Sequence, residues 1–241
     1  MKASVIIPAF NEEKLLTATL DAVREACTAL TRRGWDSEVI VCDNNSTDRT
    51  AELARAAGVR VVFEPINQIG RARNTGAAAA TGDWLIFVDA DSSPSPQLFD
   101  AVATAAESGR VIAGGSTIRL DGGGIAINLI TSLWNISSRC LRWMAGSFIF
   151  VERASFEQVG GFSLALFAAE EIDLSKRLKP LGRQSGRRIR ILHTAPLRTS
   201  ARKADLYTTT ELLRFMLRGL LRPQSTVQNR EACHPWYDGR R

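Results

Sequence analysis

The chain has 241 residues, 45% of them hydrophobic and 23% charged, a composition that supports a buried core and excludes an intrinsically disordered tail. Thirty-one Lys and Arg against 25 Asp and Glu give a net charge of +6, so anionic partners are expected: nucleotides, phosphosugars, nucleic acid or an acidic membrane surface. Cys27, Cys42, Cys140 and Cys233 show no CxxC or metal-ligand spacing and the opening segment has no signal-peptide pattern, so a reduced, cytoplasmic protein is expected.

Along the first half, apolar runs at 3–8, 38–43, 59–64 and 84–89 alternate with helical stretches at 12–33, 48–57 and 70–80. That alternation predicts an α/β fold with a mostly parallel central sheet and helices on both faces. Strands apolar through their length are what such double coverage requires. Each run ends in polar residues, and ligands bind at the carboxyl edge of open α/β sheets, so Asn11, Asp43 and Asp89 to Asp91 are expected to converge on one crevice. Ser46-Thr47-Asp48 and Ser95-Pro96 read as helix starts. The apolar stretch at 124–134 is broken by Asn128, Thr131 and Ser132 and falls short of the ~20 apolar residues that span a bilayer. A strand GSFIFVE, a helix over 170–181 and a strand RRIRILH ending at His193 follow. No linker or internal repeat marks a second domain.

The chain lacks GxxxxGK[ST], GxGxxG after the first strand, HExxH and GxSxG, which removes the main support for kinase, dehydrogenase and α/β-hydrolase readings. It offers VDAD instead. Asp89 and Asp91, flanking Ala90, can hold a hard divalent cation and leave room for diphosphate oxygens and water, although an isolated DxD also suits an acidic turn. The ordered series PAFNEE, CDNNSTD, GRARNTG and VDAD resembles the family 2 glycosyltransferases with the GT-A fold. Downstream, GSFIFVERASFEQVGGF and AAEEIDLSKRL resemble that family's acceptor-side segment, with its GGF turn and ED-x-DL helix start. The resemblance runs over residues 3–193, about four-fifths of the chain.

The resemblance implies a single GT-A, Rossmann-like domain over 1–222, with a nucleotide-sugar half at 1–92, an acceptor half at 93–203, a basic amphipathic helix at 204–222 and a tail at 223–241. It implies that Pro8, Ala9 and Phe10, with Glu12 and Asp43, hold the nucleoside and that Arg71 or Arg73 approaches the base or diphosphate. Asp89, Ala90 and Asp91 would meet the donor, Asp89 and Asp91 would bind Mn²⁺ or Mg²⁺, and His193 is a candidate third ligand. There are two departures. Asn44 stands where many relatives carry a second aspartate, and Glu171 replaces Asp at the catalytic-base position, with Glu170 as its competitor. The implied reaction is metal-dependent, inverting transfer from a nucleoside diphosphate sugar to an acceptor hydroxyl.

Two rivals fit less well. A nucleotidyltransferase acting on a sugar phosphate needs a glycine-rich basic signature where this chain has PAFNEE, and a nucleic-acid-binding or scaffolding protein would interleave aromatic with basic residues. At 211–222, Arg214, Arg218 and Arg222 form one stripe of ELLRFMLRGLLR. The apolar remainder would pack on the domain, on a second copy in a homodimer, or on the inner face of an acidic membrane carrying a lipid-linked acceptor.

Overall fold

The computed structural model describes residues 1–122, 124–201, 227–229 and 233, without the side chains of 125 and 126. The basic segment 211–222 and most of the tail lie outside the described residues.

Strands β1 (Lys2–Ala9), β2 (Asp36–Asp43), β3 (Arg60–Phe63) and β4 (Trp84–Val88) are parallel neighbours in the order β3-β2-β1-β4. Helices α1 (Leu16–Arg32), α2 (Thr50–Ala56) and α3 (Ile69–Ala79) make the crossovers. The period-2 alternation of a strand sorts β1 between two cores. Val5 and Ile7 join the cluster that buries Leu16, Leu20, Val23 and Leu30 of α1, whereas Ile6 faces the cluster containing Ala77 of α3. The chain steps from β1 outward to β3, then returns to the other side of β1 as β4. That reversal is a topological switch point, where a crevice opens at the carboxyl ends of the strands.

The second half comprises β5 (Ser92–Ser93), α4 (Pro96–Glu107), β6 (Val111–Asp121), α5 (Ile125–Leu141), β7 (Phe148–Glu152), α6 (Arg153–Gln158), α7 (Glu170–Gln184) and β8 (Arg188–Ser200). It extends the sheet to eight strands, β3-β2-β1-β4-β7-β6-β8-β5, in which β7 and β5 run against the others. This is the expected single α/β domain with a mostly parallel sheet. Ser95 caps α4 by accepting the Leu98 N–H at 3.2 Å. At the other expected cap, Arg49 holds the N-cap position of α2 without a side-chain cap bond, and Asp48, one residue earlier, accepts the Thr50 N–H at 2.9 Å. No helix among the described residues is long and apolar enough to cross a membrane.

Candidate active site

The loops after β1 and β2 are clasped backbone to side chain. Asn11, at φ +54°, accepts the Thr47 N–H at 2.8 Å while its own N–H donates to Ser46 Oγ at 3.0 Å. Glu12 N–H donates to Thr50 Oγ1 at 2.8 Å and Glu13 N–H to Asp48 Oδ2 at 3.1 Å. The clasp fixes the strand ends that carry Pro8, Ala9, Phe10, Glu12 and Asp43. Glu12 and Asp43 are both buried, and Asp43 Oδ1 accepts the Ser46 N–H at 3.1 Å.

Helix α3 brings in the two arginines, and they part ways. Arg71 is half-buried, its Nε donating to Gln68 Oε1 at 3.1 Å. Arg73 is only 1% exposed. Its guanidinium donates to Glu170 Oε1 at 2.6 Å, Asp89 Oδ1 at 3.1 Å and the Gly146 carbonyl at 2.7 Å, and it lies 5.2 Å from the centre of the Phe162 ring. Burial opposes its charge, while Asp89, Glu170 and Glu171 favour it and leave its pKa raised. Arg73 thus joins the end of β4 to the start of α7, and its Nε, buried, has no hydrogen-bond partner among the described residues.

Above this fork lies an open cavity of about 220 Å³, whose lining includes Asp89, Ile118, Trp134, Gly146, Ser147 and Glu171. Glu170 is buried beneath it, whereas Glu171 is half-buried on its wall. A Cβ at Gly146 would sit in ordinary contact, 3.5 Å from Glu171 Cδ, which places the glycine directly beside the carboxyl. Burial first, and then the neighbouring Glu170, hold Glu171 well above the usual carboxylate range against the pull of Arg73. Ala169, which precedes the pair, adopts φ +60°, a conformation that costs a non-glycine residue about 1 kcal/mol and is typical of functional sites. Ser147 Oγ is buried without a hydrogen-bond partner among the described residues. Nothing in the sequence marks Ser147, since only tertiary folding brings it to the cavity.

Asp91 is half-buried at the turn after β4, within 3.4 Å of Thr199 Oγ1. Two carboxylates separated by Ala90 suit a cation that keeps water and takes phosphate oxygens for the rest of its shell. His193 does not join them. It is exposed on an irregular stretch of β8, where the register against β6 shifts, and no three His, Cys, Asp or Glu side chains gather as a metal site among the described residues.

The sequence profile described as Glycosyl transferase family 2 matches residues 4–158. The chain belongs to this family. Among its relatives, Glycosyltransferase AglE of Haloferax volcanii is 32% identical over 193 residues, covering 74% of this chain and 62% of AglE. The probable glycosyltransferase YdaM of Bacillus subtilis is 28% identical over 208 residues, covering 75% and 47%. The chain thus spans roughly half to three-fifths of the length of these relatives. S. aureus TarS in complex with UDP-GlcNAc matches with a TM-score of 0.67 at 20% identity, over 98% of this chain and 69% of that one. Glucosyl-3-phosphoglycerate synthase from Mycobacterium tuberculosis, in complex with Mn²⁺, UDP and phosphoglyceric acid, matches at 0.63 and 22% identity, over 95% and 80%. These structural likenesses establish the GT-A fold.

In this family 2 member, Asn44 has a local explanation. Its Nδ2 donates to the Glu64 and Ile66 carbonyls at 3.1 and 2.7 Å, and its Oδ1 accepts the Gln68 N–H at 3.0 Å. An aspartate cannot donate, and would set a buried charge against two carbonyl oxygens. Asn44→Asp is expected to lower stability by about 2–4 kcal/mol, as measured by urea unfolding; an unchanged midpoint would remove this account of the residue.

Proposed function

We propose that the chain transfers a sugar from a nucleoside diphosphate to an acceptor hydroxyl, with inversion at the anomeric carbon and with a divalent cation. The observation that carries this reading is the buried Arg73 fork, which holds Asp89 and Glu170 together and leaves Glu171 facing the same cavity. Uridine diphosphate sugars are the donors to try first, because the TarS and glucosyl-3-phosphoglycerate synthase structures hold UDP or its sugar derivative.

Asp89 and Asp91 would hold Mn²⁺ or Mg²⁺, with no protein ligand assigned to His193. A cation there supplies Lewis-acid neutralisation of the leaving diphosphate. Glu12 and Asp43 accept from base N–H or ribose hydroxyl groups beside the Pro8–Ala9–Phe10 backbone, and Arg71 is the cation left to meet the nucleotide. Ser147 Oγ supplies a hydrogen bond to a substrate hydroxyl. Glu171 takes the acceptor proton as the hydroxyl oxygen bonds to the anomeric carbon and the bond from that carbon to the diphosphate oxygen breaks on the opposite face. Arg73 is a positioning residue in this scheme.

The test is thermal stabilisation by UDP with and without Mn²⁺. A ligand at a hundred times its dissociation constant stabilises by about 2.7 kcal/mol. Asp91→Ala is expected to keep the fold, because the side chain is half-buried in the turn after β4, and to lose the Mn²⁺-dependent part of the shift. Unchanged metal dependence in that variant would overturn the assignment of Asp91, and a retained anomeric configuration in the product would overturn the single displacement.

A further inference from the structure

Among the described residues, helix α5 is covered on one side only. Inward, Trp134 reaches the cavity wall, and Asn135 clamps β6 by bonding both the N–H and the carbonyl of Ile118 at 2.9 Å. Outward, Leu129, Leu133 and Ile136 are 61%, 57% and 58% exposed, and with Cys140 they follow the +4, +3, +4 spacing of one helix stripe.

The stripe runs into a cluster of cations. Two adjoining hollows at the end of α5, about 180 and 260 Å³ in volume, are lined by Arg139, Arg142, Lys179, Arg183, Arg188 and Arg190, together with apolar atoms of Leu141. None of the five arginines has a carboxylate within ion-pair distance among the described residues. Lys176 and Lys179 also flank the half-buried Trp143, each 6.0 Å from its ring centre. Partial burial and the charges of Arg183, Arg142 and Lys176 pull the Lys179 ammonium below its ordinary pKa.

We infer that the α5 stripe and the adjoining arginine cluster dock the protein on an anionic lipid bilayer. The apolar side chains enter the interface, the arginines meet headgroup phosphates, and Trp143 sits at headgroup level. Charge complementarity selects this occupant. A soluble polyanion would leave the apolar stripe in water. A second copy packed two-fold about α5 would bring the unpaired arginines toward their own counterparts. The surface lies about one helix diameter, ~10 Å, from the cavity wall.

The test is co-sedimentation of the full chain with vesicles of phosphatidylglycerol and phosphatidylcholine in equal parts, against phosphatidylcholine alone. Binding is expected only to the anionic vesicles and should weaken with salt. R142E/R188E and, separately, L133D/I136D should each lower the apparent affinity about 10-fold or more, with unchanged melting temperatures. The segment 211–222 is the same in every variant, so differences report the α5 surface. Three results would overturn the inference: no binding to anionic vesicles, L133D/I136D binding as well as the unaltered chain, or a dimer that L133D/I136D converts to monomer. The readout involves no turnover, so its failure is separate from any failure of the catalytic reading.

Discussion

Glu171→Gln retains cation-dependent binding of a nucleoside diphosphate and loses turnover by about 10²- to 10⁴-fold, the range for a positioned general base. The substitution keeps the shape of the side chain beside Gly146 and removes only its ability to accept a proton. Glu170→Gln is expected to cost turnover less, because the Glu170 carboxylate is buried and already engaged by Arg73. The two variants also differ in their pH profiles. Burial and the Glu170 charge raise Glu171, so the acid limb of kcat lies above that of an ordinary carboxylate, and Glu170→Gln moves it to lower pH. A larger loss at Glu170 than at Glu171 would shift the base by one residue. Full activity in both variants would leave the acidic pair a structural feature only.

Arg73→Met is expected to be the most destabilising single change, at about 3–5 kcal/mol, because it strands a buried carboxylate. Glu170 is the group stranded: its side chain is 4% exposed, whereas that of Asp89 is 18% exposed. Pairing it with Glu170→Met removes both charges and should recover at least half of the loss. Urea unfolding of the two single variants and the double variant measures this. If the losses simply add, the guanidinium and the carboxylate are not coupled, and the positioning role of Arg73 goes with them.

The parts that were legible in the sequence are the local ones. β1, β2 and β4 announce themselves as unbroken apolar runs, and Ser95-Pro96 specifies a helix start within four residues. β6 does not, because Gly114 and Gly115 break its strand character. The structure supplies the reason: a Cβ at Gly114 would lie 2.1 Å from the Arg190 carbonyl oxygen and 2.3 Å from the Phe150 ring. Close approach of neighbouring backbone and aromatic side chains, which no window of sequence contains, sets that residue.

The site divides along the same line. Convergence of Asp43, Asp89 and Asp91 on one sheet edge follows from strand order. Arg73 is different, since its partner Glu170 lies 97 residues away and no local pattern joins the two. Asn44, a missing charge when read against the family pattern, is a three-point brace once the loops are folded. His193 is a candidate ligand through the family pattern alone; it is exposed beside the register shift on β8, and no metal-site cluster forms among the described residues.

The Arg73 fork also limits how this protein can be recombined. One guanidinium serves residues far apart in the chain, Asp89 at the end of β4 and Gly146 and Glu170 well after it. A chimera that joined 1–92 to the acceptor half of a relative would inherit half of an ion network. It would fold with its cavity intact only if the incoming half brought a buried carboxylate at the start of its α7 and a glycine carbonyl opposite. Reshaping of the cavity by grafting is therefore confined to positions outside the fork, such as Ile118 and Trp134 on its wall.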